Sequence, residues 1–319
     1  VVETNAQRQS DEVVGMKIAI LGAGRVGSAL AHAIVLKELC DHLVIAGRSL
    51  EKARGDALDL QHALSFCDRS MTLEAGVIAE VRGCDIIVIT LSVAVEAAFT
   101  SRMQLGAGNV RLFSDIIPGL AAANPEAILV IVTNPVDVMT CLATRLSGFP
   151  PSRVVGVGTL VDSARFRSLL SRALRIHPAD LRAYVLGEHG PNQFPVLSHA
   201  QAGGEPIRDT PEHRQLFHQV VEAGFEVYRL KGYTNYAIAS ATCLVLESIV
   251  HDQCRTMPLA THFDEWMGVR DNCFSIPVVV GRSGIVRRLH PKLSTEEQQE
   301  LERVAAYMRD CIEQLLSDA

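Results

Sequence analysis

Three polar residues of complementary type stand in two short segments of this chain. Asp162 and Arg165, in "DSARFR", are three positions apart and so share one face of the helix that follows "GVGTL". One of them can serve a histidine and the other a carboxylate; taken alone, the pair is equally a surface ion pair, common and weak at this spacing. His189, in "GEHG", lies in a glycine-flanked turn, where backbone can come close to a ligand. A lone histidine is more often structural, but the matching partners in "DSARFR" reverse that preference.

A second group lies near the N-terminus. In "ILGAGRVGSAL", Gly22, Gly24 and Gly27 spell G-x-G-x-x-G directly after a strand and at the opening of a helix, with Arg25 and Val26 inside the turn. The first glycine permits a tight turn, the second lets backbone approach a pyrophosphate, and the third lets the helix pack closely on the sheet. The helix N-terminus then presents free N–H groups to the phosphates. By itself the motif is a tight strand-to-helix turn; at the first strand of an alternating pattern it points to a dinucleotide. Thr90, which closes the run "DIIVIT", belongs with this cofactor-binding set.

NAD-binding versions of the unit carry an acidic residue about 20 positions on, which bonds the adenosine ribose. Here that position is Gly47, followed by Arg48 and Ser49. A carboxylate would repel the 2′-phosphate of NADP(H), whereas glycine leaves room for it, Arg48 offers a forked donor and Ser49 a hydroxyl. The expected cofactor is therefore NADP(H). The alternative is NAD(H), with Arg48 a solvated loop residue.

The elements that must position these residues are legible as a rhythm. "MKIAIL" from Met16 reads as a strand, Val26 to about Lys37 as a helix, "LVIA" as a strand, and Leu50 to about Leu64 as a helix; "DIIVIT" (85–90) and "AILVIV" (127–132) are further strands, each followed by a helical stretch. Strands separated by helices imply a parallel sheet covered on both faces. After about residue 160 the pattern changes to longer helices, short strands near 260 and 275, and a final helix from Ser294. The expected fold is α/β, a Rossmann doubly wound parallel sheet with a second, mixed α+β substrate domain. Residues 1–15 form an N-terminal arm, 16–160 the dinucleotide-binding domain and 161–319 the catalytic domain, with ligands between the two.

Composition narrows the class. At 319 residues, 48% hydrophobic and a formal net charge of -6, the chain can bury two lobes and has no general attraction for nucleic acid or anionic membranes. Its longest apolar runs are far shorter than the roughly 20 residues of a membrane span. Residues 1–14 have the character of neither a secretory signal nor a transit peptide. Eight cysteines without a C-x-x-C read as reduced core residues of a cytoplasmic protein, with no metal site.

"TNPVDVMTCLATRLSGFP", "GVGTLVDSARFRSLL", "VLGEHGPNQFPV" and "RLKGYTNYAIA", with the glycine turn, resemble the L-lactate/malate dehydrogenase family, nearer its lactate-type branch, from about Met16 to the last helix. The resemblance implies His189 as general acid/base, Asp162 as the group that orients its imidazole, and Arg165 as the clamp on a substrate C1 carboxylate. It implies Arg102, at the end of "SVAVEAAFTSR", as a mobile-loop arginine that polarises the reacting carbonyl. Asn134 corresponds to a residue that bonds the substrate oxygen, Asn109 to one near the nicotinamide, and Thr234 to a pocket-wall position on a helix. Asn134 can also cap a helix with Pro135 as its first residue. Family members are dimers or tetramers, so a homodimer or homotetramer is expected.

Two segments depart from the family pattern. Val95-Glu96-Ala97 stands where malate-specific members carry an arginine and lactate-type members a neutral residue, so Glu96 disfavours a dicarboxylate substrate; one residue is inserted before Arg102. Pro191, Asn192 and Gln193 follow the histidine turn where an acidic residue is usual. The expected function is hydride transfer between NADP(H) and a 2-oxoacid/2-hydroxyacid pair with an atypical side chain. Two alternatives stand beside it: an ordinary NAD-dependent lactate or malate dehydrogenase, and a dinucleotide-binding regulator that has lost turnover.

Overall fold

Alternate residues of the first strand face two different cores, which is what a sheet covered on both sides requires. The fold comes from a computed structural model that describes residues 15–93 and 106–316. In chain order the first half runs β1 (Lys17–Leu21), α1 (Arg25–Lys37), β2 (His42–Gly47), α2 (Leu50–Ala63), β3 (Thr72–Val77), β4 (Ile86–Ile89), α3 (Gly106–Ala123), β5 (Ile128–Ile131), α4 (Val136–Ser147) and β6 (Val154–Gly156). Ile18 and Ile20 pack into one apolar cluster, Ala19 and Leu21 into the other, on the opposite face. The strands pair in parallel in the order β3-β2-β1-β4-β5-β6. This is the doubly wound order, with its switch point between β1 and β4.

β3 is an addition to the strands read from sequence. Its residues "TLEAGV" are mostly half-exposed or exposed, as befits a strand at the sheet edge, and so lack the continuous apolar run that marked the others.

The second half comprises α5 (Leu160–Leu174), β7 (Leu181–Arg182), β8 (Val185–Gly187), β9 (Gln193–Pro195), β10 (Gln201–Ala202), β11 (Glu205–Pro206), α6 (Pro211–Lys231), α7 (Tyr236–Val250), β12 (Arg255–Trp266), β13 (Val269–Gly281), β14 (Gly284–Arg288) and α8 (Thr295–Leu316). The short strands expected near 260 and 275 are in fact a long hairpin, with strands of 12 and 13 residues. Polar residues such as His262, Asp264 and Glu265 interrupt its apolar pattern, and pairing across the whole length overrides that interruption. The long helical stretch divides at Gly232, whose left-handed φ of 80° ends α6. α8 starts one residue later than expected, because Ser294 caps it: Ser294 Oγ accepts from Glu297 N at 3.2 Å and Glu297 Oε2 accepts from Ser294 N at 2.9 Å.

The hairpin welds the two halves together. β12 pairs with β6 through Ala260 and Gly156, and β13 pairs with β8 through Ser275 and Gly187, so one mixed sheet runs through both. All eight cysteines are free thiols, six of them buried. No helix among the described residues is long and apolar enough to cross a membrane.

Candidate active site

β6 ends at Gly156 and β8 at Gly187, and the hairpin stands between them, so the start of α5 and the turn after β8 emerge side by side. Local hydrogen bonds fix this approach. Thr159 N donates to Ser275 Oγ at 3.0 Å, Thr159 Oγ1 donates to the Val185 carbonyl at 2.5 Å, and Val185 N donates to Ser163 Oγ at 2.8 Å. His189 Nδ1 consequently lies 2.5 Å from Asp162 Oδ2, while Arg165 Nη1 lies 2.9 Å from Asp162 Oδ1. Asp162 is 1% exposed, which rules out the surface ion pair. The carboxylate engages Nδ1 of His189 and so fixes the orientation of its ring. Arg165 uses one nitrogen on Asp162; its other nitrogens make no hydrogen bond among the described residues and can fork onto a carboxylate.

These side chains face a cavity of about 120 Å³. Asn134 and Thr234 line it with His189 and Arg165, beside apolar groups that include Val26, Val132 and Ile238. Asn134 does not cap α4. The Asn134–Pro135 peptide is cis, Pro135 takes the N-cap position, and the helix starts at Val136. The Asn134 side chain is thereby released from the helix, and its buried Oδ1 has no hydrogen-bond partner among the described residues. A buried amide oxygen of that kind suits a polar ligand atom. Thr234 lies in the loop between α6 and α7 rather than on a helix.

Asn109 is engaged by groups of the protein itself. It is fully buried on α3, its Oδ1 accepts from Val93 N at 2.8 Å, and its Nδ2 donates to the Asn134 carbonyl at 2.6 Å and to Ser92 Oγ at 3.3 Å. Its amide is used within the protein, so it braces the loop that carries Asn134.

The glycine turn fits a dinucleotide pyrophosphate. Gly22 has a φ of 115°, and a Cβ on Gly27 would stand 1.9 Å from the Gly22 carbonyl oxygen, so both glycines are required by the fold. Gly24 is extended, faces open space and leaves the N-terminus of α1 without a side-chain cap, free for an anion. Thr90 Oγ1 donates to the carbonyls of Leu21 and Gly22 at 3.1 and 3.0 Å, bracing the turn. Arg25 reaches across to the second half, with its guanidinium 4.2 Å from the Tyr233 ring centroid and Nη1 3.4 Å from the Gly232 carbonyl.

Gly22, Gly24, Gly47, Arg48, Ser49 and Thr90 share one cavity of about 340 Å³. Among the described residues, no carboxylate lines it. Gly47 has ordinary backbone geometry, and a Cβ there would meet nothing closer than 3.9 Å, so the fold itself does not demand glycine. Ser49 is the N-cap of α2, accepting from Lys52 N at 3.2 Å. Lys52 also lines the cavity and was not singled out from sequence.

Arg102 and Glu96 lie outside the described residues. The Pro191-Asn192-Gln193 departure is accommodated structurally: Asn192 N and Nδ2 both donate to Glu188 Oε2 at 3.0 Å, and Gln193 Nε2 donates to the Gly190 carbonyl at 2.7 Å. Glu188 and the buried Asp137, whose Oδ2 accepts from His189 N at 2.8 Å, support the histidine turn; neither was identified from sequence.

Comparison with known proteins places this geometry in context. A family model described as lactate/malate dehydrogenase, NAD binding domain, matches residues 16–156, and one described as lactate/malate dehydrogenase, alpha/beta C-terminal domain, matches residues 159–318. The chain is 38% identical to an L-lactate dehydrogenase of Gloeobacter violaceus over 308 residues, 93% of each chain. It is 36% identical to an L-lactate dehydrogenase of Synechococcus sp. over 306 residues, covering 94% of this chain and 99% of the other. Among solved structures it resembles MGS-M5, a lactate dehydrogenase enzyme from a Medee basin deep-sea metagenome library, with a TM-score of 0.89 at 28% identity over 94% of this chain and 98% of that one.

Proposed function

The chain belongs to the lactate/malate dehydrogenase family, and from that premise we propose that it is an NADP(H)-preferring 2-oxoacid reductase/2-hydroxyacid dehydrogenase acting on a monocarboxylate of atypical side chain. The observation that carries the cofactor choice is the cavity at the end of β2: a glycine the fold does not need, Arg48 and Lys52 beside it, the N-terminus of α2, and no carboxylate among the described residues. An adenosine 2′-phosphate suits that set, since each group supplies positive potential or a donor.

When bound, the reduced nicotinamide supplies the hydride. The turn at Gly22, Gly24 and Gly27 and the N–H groups of Arg25 and Val26 hold the pyrophosphate. Arg165 grips the C1 carboxylate through the nitrogens that Asp162 leaves free, and Asn134 offers its amide to the substrate oxygen. His189 gives its Nε2 proton to the carbonyl oxygen, and Asp162 stabilises the imidazolium on the return path. Arg102 polarises the same carbonyl, and Glu96 opposes a second carboxylate by like-charge repulsion. Residues 16–160 serve as the cofactor lobe and 161–319 as the substrate lobe of a cytoplasmic homodimer or homotetramer.

Initial rates with NADPH across pyruvate, oxaloacetate and larger neutral or basic 2-oxoacids test this function. Turnover is expected on monocarboxylates, with oxaloacetate poor. Oxaloacetate as the best substrate would overturn the substrate reading. No turnover on any 2-oxoacid, with intact cofactor binding, would favour a dinucleotide-binding regulator.

A further inference from the structure

Asn134 and His189 face the same small cavity from segments far apart in the chain, and one side chain outside that cavity joins them. Asp137 sits in the first turn of α4, three residues after Asn134, and is 2% exposed. An aspartate at this point in a helix ordinarily serves its own N-terminus. Here Oδ2 accepts from the backbone N–H of His189 at 2.8 Å. The other oxygen, Oδ1, is buried and has no hydrogen-bond partner among the described residues.

Resting on the reading of His189 as proton donor, we propose that Asp137 is a positioning residue, which fixes the His189 turn relative to the Asn134 loop by accepting the His189 backbone N–H. The local chemistry supports this assignment. Around Asp137 stand Asp162 of α5, Glu188 of the histidine turn, Cys273 of β13 and Cys311 of α8. Burial, reinforced by the charges of Glu188 and Asp162, pushes the Asp137 acid well above the usual carboxylate range. What Asp137 contributes to the turn is an acceptor oxygen placed where the His189 N–H points. An asparagine has that oxygen at the same reach; an alanine or a serine does not. The His189 imidazole meanwhile keeps its charged neighbours, Asp162 and Arg165, which no change at Asp137 removes.

The experiment compares the full-length wild type with Asp137→Ala, Asp137→Ser and Asp137→Asn. The readouts are kcat, KM, the pH dependence of kcat/KM on the best 2-oxoacid, and the NMR signals of the His189 backbone amide and imidazole. Misplacing a reacting group by about 1 Å can cost on the order of 100-fold. Asp137→Ala and Asp137→Ser are therefore expected to lose roughly 10- to 100-fold in kcat, with the His189 signals moved and cofactor KM retained. Asp137→Asn is expected to restore most of that loss and to keep the wild-type pH profile. A folded Asp137→Asn as impaired as the alanine variant, or with a displaced pH profile, would overturn the proposal, because charge would then be the contribution. So would an alanine or serine variant with wild-type kcat and unmoved His189 signals. If the truncating variants do not fold, Asp137→Asn decides alone by the same criteria. His189→Ala with wild-type turnover would instead overturn the reading of His189, a separate failure visible without any change at Asp137.

Discussion

Asp162 divides its two carboxylate oxygens between His189 and Arg165, so one buried carboxylate holds the two side chains in place together. Removing either partner should therefore act on chemistry more than on folding. His189→Ala is expected to lower turnover by roughly 10²–10⁴-fold with an unchanged far-UV spectrum and cofactor affinity; a folded variant at the wild-type rate would show the site to be misassigned. Asp137 makes a second prediction at this scale. Its acid is raised above the ordinary 3.8 when folded, so the folded chain holds a proton that the unfolded chain releases. The stability this proton confers is complete below pH 3.8 and is lost as pH rises toward the folded value. Asp137→Asn escapes that loss, so its stability relative to wild type should rise with pH above the ordinary value, by at most about 1.4 kcal/mol per pH unit. Denaturant unfolding of both proteins between pH 4 and pH 8 checks this, and a difference that shrinks with pH would contradict it. His189, Asp162 and Arg165 were legible because their types are chemically unusual in their segments. Asp137 and Lys52 were not, because an aspartate or lysine in the first turn of a helix is commonplace, and only the fold shows what each one faces.

At the scale of elements, the parallel strands and their helices were readable from apolar runs of the right length, since burial on both faces leaves a continuous signature. The edge strand β3 and the interrupted hairpin β12–β13 lack that signature, and the hairpin is the element that brings Asp162 to His189. Its importance to the site therefore could not be read from local pattern. The roles of two helix starts can be separated by substitution. Gly27→Ala drives a methyl group into the Gly22 carbonyl, so the α1 turn must shift, and both thermal stability and cofactor affinity should fall. Ser294→Ala removes the capping box of α8, remote from the glycine turn, and should cost about 1 kcal/mol of stability with cofactor affinity intact. Calorimetry with a cofactor titration distinguishes them; equal effects on cofactor affinity would contradict this separation.

Across the whole molecule, Val26 of α1 lines the same cavity as His189 and Thr234, where the doubly wound sheet passes into the hairpin of the second half. Arg25 adds a bridge between the halves through Gly232 and Tyr233. Family membership accounts for this architecture. At the end of β2, Gly47, Arg48, Ser49 and Lys52 line one cavity, and the proposed preference for NADP(H) rests on the two cations there. The most direct measurement is the ratio of kcat/KM for NADPH to that for NADH on one good 2-oxoacid, in the wild type and in Arg48→Ala. A wild-type ratio well above one is expected, with Arg48→Ala losing roughly 10- to 150-fold for NADPH, the equivalent of a hydrogen bond to a charged group at about 1.5–3 kcal/mol, and almost nothing for NADH. A wild-type preference for NADH, or equal losses with both cofactors, would contradict it.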